Sequence, residues 1–256
     1  MRDYQGAIDD YTQALQINPH YVQAYCGRGF VRAILKDYHS AINDYTQALY
    51  LNPNHANAYC NRGNGHSALG DYQGAINDYT QALRIEPNYA NAYSNKGDAL
   101  SYLGDYQGAI NDYTQALLIQ PNNADTYYCR GIAHAALGEY QSAIDDYTQV
   151  LRIEPNYVQA YCMRGFVRAE LRNYQGAIDD YTQALLIKPN YAQAYCMRGD
   201  ASAELGNYQG AIDDYTQALL IKPNKVDAYN GRSKARAALG DKQGALEDAQ
   251  RAENQG

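Results

Sequence analysis

Five cysteines and five histidines are the residues of this sequence with the most chemistry to offer. The interval from Cys26 to Cys60 is the same as that from Cys162 to Cys196, and pairs so regularly spaced could close disulfides or hold a soft metal. No two cysteines form the CxxC pair of a metal site, and an odd total does not suit the framework of a small secreted protein. His66 and His134 are too distant in sequence to suggest a shared ligand, and His20, His39 and His55 fall at loops or helix starts. A Ser/His/Asp grouping, a phosphate-binding glycine loop and a catalytic pair of acids do not stand out from a pattern copied along the chain. The residues therefore argue against an enzyme, and no cofactor or metal is expected.

The elements that would position these groups are visible in the copied pattern. Phe occurs twice and Trp never, against 28 Tyr. Pro19, Pro53, Pro87, Pro121, Pro155, Pro189 and Pro223 follow one another at a constant interval, and Tyr series beginning at Tyr4, Tyr11 and Tyr25 keep the same step. Those series take 21 of the 28 Tyr, so a single unit has been repeated in register.

Each unit reads as two helices. In one, Asn54 precedes the run AYCNRGNGHSAL, which ends at Gly70, and Asp71 opens YQGAINDYTQALRIE before Pro87. Asn or Asp before a helix caps free amides, glycine permits a left-handed stop, and proline ends what precedes it. Tyr72, Ala75, Ile76, Tyr79, Ala82 and Leu83 fall three and four apart, making one apolar stripe of a helix roughly 20 Å long. Gly63 costs helix propensity of about 1 kcal/mol, which close packing against a tyrosine ring must repay. A lone hairpin cannot bury both faces, so neighbours must stack. Equivalent helices of such a stack lie about 10 Å apart, too far for the regularly spaced cysteines to bridge, which predicts free, partly exposed thiols open to alkylation.

This unit resembles the tetratricopeptide repeat along essentially the whole chain. In the family's phase Tyr25, Gly29, Ala41, Tyr45, Ala48 and Pro53 hold the signature positions of a first unit, 22–55. Units 56–89, 90–123, 124–157, 158–191 and 192–225 follow, with a half repeat at 1–21 and a capping repeat at 226–256. The resemblance implies an all-α, right-handed superhelical solenoid of antiparallel helix hairpins, acting as a scaffold whose concave groove is lined by the first helices. Its groove positions hold Phe30, Asn57, Asn61, Asn64, Asn91, Asn95 and Tyr128, then Met163, Phe166 and Met197. Amides can donate to and accept from a peptide backbone, and Met and Phe offer adaptable apolar anchors. An extended, largely uncharged peptide is the expected ligand. Family members that clamp a C-terminal carboxylate use basic side chains where this chain has Cys26, Asn91 and Asn95 or Cys60, Asp125 and Cys129, so that ligand is not expected. Asn61 and Asn95 match the asparagine ladder of O-linked N-acetylglucosamine transferase, but no glycosyltransferase segment accompanies them.

Charge adds two constraints. A formal net charge of −7 argues against a nucleic-acid surface, and no apolar run approaches a membrane span or a signal peptide. The free thiols suit a reducing, cytoplasmic setting. A basic residue recurs from Arg28 to Arg232 and an acid from Asp10 to Asp248, a ladder expected to pair each acid with the base of the next unit, as Asp10 with Arg28. At the C-terminus Lys242 and Ala249 replace two ring positions, which reads as a solvated cap. The chain begins just before a second helix, which reads as a fragment of a longer protein. The uncovered face of Tyr4, Ile8 and Tyr11 predicts end-to-end self-association through the N-terminal half repeat. Alternative roles are a structural module using its ends and the regulatory or targeting arm of a larger multidomain protein.

Overall fold

A computed structural model describes residues 3–255, and among them are fifteen α-helices and no strand. The chain divides into two compact units, one running to Ala133 and the other from His134. The first holds α1 (Tyr4–Ile17), α2 (Val22–Ile34), α3 (Tyr38–Leu51), α4 (Ala56–Ala68), α5 (Tyr72–Ile85), α6 (Ala90–Tyr102), α7 (Tyr106–Ile119) and most of α8 (Ala124–Ala136). The second holds α9 (Tyr140–Ile153), α10 (Val158–Glu170), α11 (Tyr174–Ile187), α12 (Ala192–Glu204), α13 (Tyr208–Ile221), α14 (Val226–Ala238) and α15 (Lys242–Glu253). Within each unit a helix packs on the helices beside it in sequence, and first helices such as α2 and α4 also touch one another. Each unit is thus an all-α solenoid of tandem helix pairs.

Local chemistry sets the boundaries. Asp71 caps α5 by accepting the Gly74 amide at 2.9 Å, and Asp105, Asn173 and Asn207 do the same for α7, α11 and α13. The first helices begin differently from expectation. Asn54 is not the cap of α4: its own amide is held by Asn52 Oδ1 at 3.1 Å, and His55 Nδ1 accepts from Ala58 instead. The tight turn after Pro53 consumes the asparagine, leaving the next residue at the helix start. At the far end of α4, Gly70 has φ +81°, which lets the Asp71 amide fold back to His66 O at 3.0 Å.

The interior is built from alanine and tyrosine. Ala75, Tyr79 and Ala82 of α5 and Ala177, Tyr181 and Ala184 of α11 are fully buried or nearly so. A methyl group added at Gly63 would come within 2.8 Å of the Tyr79 ring, so the notch that the sequence places on the first helix receives the ring of the second helix of the same hairpin. Tyr11 of α1 is half-buried, whereas Tyr45 and Tyr79 are 1% exposed. In α15 only Ala245, Asp248 and Ala252 are buried, and Lys242 is exposed.

The charge ladder is wired within repeats rather than between them. Arg28 Nη2 meets Asp44 Oδ1 at 2.7 Å, Arg62 meets Asp78 at 2.6 Å, and Lys96 meets Asp112 at 3.0 Å. The second unit repeats the pairing in Arg164–Asp180, Arg198–Asp214 and Arg232–Asp248. Asp10, the partner expected for Arg28, is exposed. The two ends of each pair lie on the two helices of one hairpin, which pack more closely on each other than on the next hairpin. What Arg28 does reach in the preceding repeat is the Thr12 hydroxyl, to which Nη1 donates at 3.1 Å, and Arg62 reaches Thr46 in the same way. The acids are buried, Asp78 to 5% exposure and Asp248 to 1%. Each of these six is held by a guanidinium or ammonium, and a second arginine joins at Asp44, Asp180 and Asp248: Arg32, Arg168 and Arg236.

Candidate functional site

First helices present residues at four recurring places once the core has taken its share. In the first unit Asn57, Asn64 and Asn91 are exposed, Asn61, Asn95 and Tyr128 are half-buried, and Phe30 is 56% exposed. In the second, Phe166 is 42% exposed while Met163 and Met197 are half-buried, Met197 lying against Ala177, Tyr181 and Ala201. These side chains lie on the outward stripe of α2, α4, α6, α8, α10 and α12.

Two of the asparagines are engaged by the fold. Asn64 Oδ1 accepts from the Tyr79 hydroxyl at 2.8 Å and from the Asn95 amide at 2.9 Å. Its acceptor is therefore committed to the core tyrosine and to the neighbouring repeat. Burial raises the pKa of Tyr79, so that hydroxyl stays a donor at neutral pH. What Asn64 can still offer a ligand is its NH₂ group.

The cysteines are placed otherwise than expected. All five are free, but Cys60, Cys162 and Cys196 are buried, which removes the fifth position of the first helices from the accessible stripe in those repeats. Burial pushes the Cys162 and Cys196 thiols up to about 11. Cys129, half-buried, is pushed to about 12 by burial and then by the Asp98 charge. Thiols so protonated and so enclosed are poor targets for alkylation. Small side chains were needed where first helices face the next hairpin, and cysteine fills that role. Among the described residues no group of three or more metal-ligating side chains comes together, and no helix is long and apolar enough to cross a membrane.

Asn64 and Asn95 line one recess of the stripe, but most of the lining of the recesses comes from residues outside the group of anchors expected from sequence. Tyr72 of α5 and Tyr102 of α6 stack with ring centroids 4.7 Å apart and planes 5° from parallel. Tyr102 is 71% exposed and stands between two recesses of about 290 and 430 Å³, both of which include Asp98 in their lining. Asp98 Oδ1 accepts from the Tyr113 hydroxyl at 2.7 Å. Burial raises the Asp98 pKa, the hydrogen bonds of Tyr113 and Cys129 oppose this, and the Asp125 charge adds to it. In the second unit Asp200 is the equivalent residue, taking the Tyr215 hydroxyl at 2.7 Å in a recess of about 580 Å³. The sequence carried a signal for these: the ninth position of the first helix is aspartate only at 98 and 200, and Tyr102 is one of the few tyrosines off the repeat ruler.

Comparison with known proteins decides the family. The tetratricopeptide repeat model matches residues 22–55, 56–89, 124–157 and 192–225, together more than half of the chain. The chain belongs to the tetratricopeptide repeat family. Related models of the same repeat match 158–191, 78–111 and 97–138. The family's fold is in general a non-enzymatic protein-interaction scaffold. Among solved structures, a crystal structure of MamA is 27% identical with a TM-score of 0.62, the match covering 63% of this tetratricopeptide repeat chain and 94% of MamA. YrrB, described as a TPR protein with an unusual peptide-binding site, is 23% identical with a TM-score of 0.64 over 72% of this chain and 95% of its own. A TPR repeat-containing protein from Cytophaga hutchinsonii is 19% identical with a TM-score of 0.73, covering 90% of this chain and 94% of that one. No curated protein sequence matches the chain.

Proposed function

We propose that the outward stripe of the first helices binds an extended, largely uncharged segment of a partner protein. The observation that carries this reading is the division of labour along the repeats. Residues at copied positions are spent on the core, while Asn57, Asn61 and Asn91 remain available in the first unit and Met163 and Phe166 in the second. Free amides suit the alternating donors and acceptors of an extended backbone, and half-buried Met beside exposed Phe suits apolar side chains. The peptide-binding description of YrrB is consistent with such a use of the fold. Protonated, enclosed thiols fit a reducing compartment such as the cytoplasm.

Selection of binders from a random peptide library tests this. Asn61→Ala and Phe166→Ala should each weaken a selected peptide about tenfold or more, at unchanged helical circular dichroism. Peptides that bind both variants as tightly as the parent would remove the reading. A second role rests on α1, where Tyr4, Ile8 and Tyr11 are half-buried although the equivalent Tyr45 is enclosed. That face supports end-to-end self-association. Sedimentation should show dimers at high protein concentration that Tyr11→Ser converts to monomer, and a parent that stays monomeric throughout excludes it.

A further inference from the structure

The recess beside Tyr102 differs from its counterpart in the second unit in the charge of its lining. Both contain an aspartate that binds the hydroxyl of the next core tyrosine, Asp98 with Tyr113 and Asp200 with Tyr215. At the ninth position of the following first helix, the Asp200 recess is lined by Lys234 and the Asp98 recess by Ile132. Lys234 acts on Asp200 as a cation should, pulling its pKa back down against burial and against Asp227 and Glu204. Around Asp98 the counterpart of that help is missing from the balance: burial and Asp125 push one way, and only the hydrogen bonds of Tyr113 and Cys129 push the other. The walls differ too. Where Glu204 lines the Asp200 recess, Tyr102 offers an exposed ring next to Tyr106.

From this contrast we infer that the Asp98 recess is a socket for a cationic side chain, the ammonium of a lysine or the guanidinium of an arginine carried by the bound peptide. Lys234 is the chain's own cation lining the equivalent recess, acting on Asp200 through its charge alone, and Ile132 leaves the first unit's socket for a cation from outside. A carboxylate at the floor supplies charge, and tyrosine faces attract a cation through their ring quadrupoles. The volume of about 430 Å³ lies within the range of small-ligand sites, ~300–1,000 Å³. The inference rests on the peptide-binding reading only for the carrier: the peptide is uncharged except for one basic residue seated here. A ligand of net opposite charge also suits a chain of formal charge −7.

Single-residue probes keep the two readings apart. N-acetyl-lysine methylamide, N-acetyl-arginine methylamide and the neutral N-acetyl-norleucine methylamide are titrated into the full chain, followed by NMR of the backbone amides of Asp98, Tyr102, Cys129 and Ile132. Binding of either cationic probe at least about tenfold tighter than norleucine is expected, weakening as salt is added. Asp98→Asn should abolish the preference. Ile132→Lys should abolish it as well, by supplying the cation internally, while circular dichroism reports an intact fold. Lys234→Leu should create the same preference at Asp200. Equal affinity for norleucine, a preference that survives Asp98→Asn or Ile132→Lys, or no shift with any probe overturns the socket. Selected peptides that bind without a basic residue, with these probes silent, would overturn the socket and leave the peptide-binding reading standing.

Discussion

Arg62 and Asp78 meet through two parallel hydrogen bonds, Nε to Oδ2 at 2.9 Å and Nη2 to Oδ1 at 2.6 Å, with the guanidinium carbon 5.5 Å from the centre of the Tyr59 ring. Forked geometry and an acid only 5% exposed place this pair above ordinary surface ion pairs, which contribute ~0.2–1 kcal/mol. A double-mutant cycle on Arg62→Ala and Asp78→Ala should give a coupling of about 1.5–3 kcal/mol by urea denaturation, whereas Asp78 and Lys96 should couple near zero. A larger coupling for the second pair would restore the between-repeat ladder. The periodic sequence could not distinguish these. Arg28 stands between Asp10 and Asp44 at nearly equal intervals, and the two aspartates hold the same position of successive units, so only the packing of the hairpin chooses. Asp98 makes an opposite argument at the same scale. Its folded pKa is raised, chiefly by burial, so the folded state binds the proton more tightly than the unfolded chain. That contribution is fully present below the unfolded value of about 3.9 and is lost as pH rises through the folded value. At neutral pH the ionised carboxylate therefore costs stability. Asp98→Asn should raise the urea midpoint at pH 7, with the gain shrinking as pH falls toward 4. A difference that stays constant with pH would show that charge burial is not the cause.

Helix endings show where local rules are obeyed and where they are broken at a cost. Five first helices stop at a glycine of positive φ, Gly70, Gly104, Gly138, Gly206 and Gly240, and the equivalent places after α2 and α10 hold Lys36 and Arg172 at φ +63° and +59°. A side chain in the left-handed region costs ~1–2 kcal/mol, part of which glycine returns through greater freedom when unfolded. Lys36→Gly and Arg172→Gly should each stabilise by about 0.5–1 kcal/mol, measured by urea denaturation. Gly63 lies inside α4 and behaves the other way. Alanine there gains ~1 kcal/mol of propensity but brings its methyl to 2.8 Å from an enclosed Tyr79 ring, an overpacking cost of ~1–3 kcal/mol. Gly63→Ala should therefore be net destabilising; a stabilised variant would mean the ring can yield. These elements were legible because Tyr, Gly and Pro mark each turn at a constant interval. The recess beside Tyr102 was not. Its wall, floor and lid come from α6, α7 and α8, and the pattern within a single helix does not say that Asp98, Tyr106 and Ile132 converge. Burial of Cys60 and Cys162 was hidden for the same reason, since the neighbouring hairpin closes over a position that looks open on its own helix.

At the scale of the whole chain, packing runs along the sequence. In the first unit α5 packs on α4 and α6, and in the second α13 packs on α12 and α14, so each hairpin rests mainly on its neighbours in order. Free energy in such an array is close to a sum of repeat terms and nearest-neighbour terms, so damage should stay near its origin. Ala75 of α5 is fully buried against this kind of neighbour, and Ala75→Asp would place an unpaired charge in the interior. A globular domain would lose protection everywhere by the same factor, because its slowest amides exchange through one global opening. Here hydrogen exchange should instead become at least about a hundredfold faster for amides of α4, α5 and α6 and stay within about threefold for those of α13. Denaturation followed by tyrosine fluorescence and by circular dichroism should likewise give non-coincident curves for the variant, since its damaged repeats melt first. Uniform loss of protection in α5 and α13 would show that the repeats unfold as one cooperative body. Localised loss would carry a functional consequence, because the Asp200 recess, built from α12, α13 and α14, should then keep its form in a chain whose α5 is disrupted.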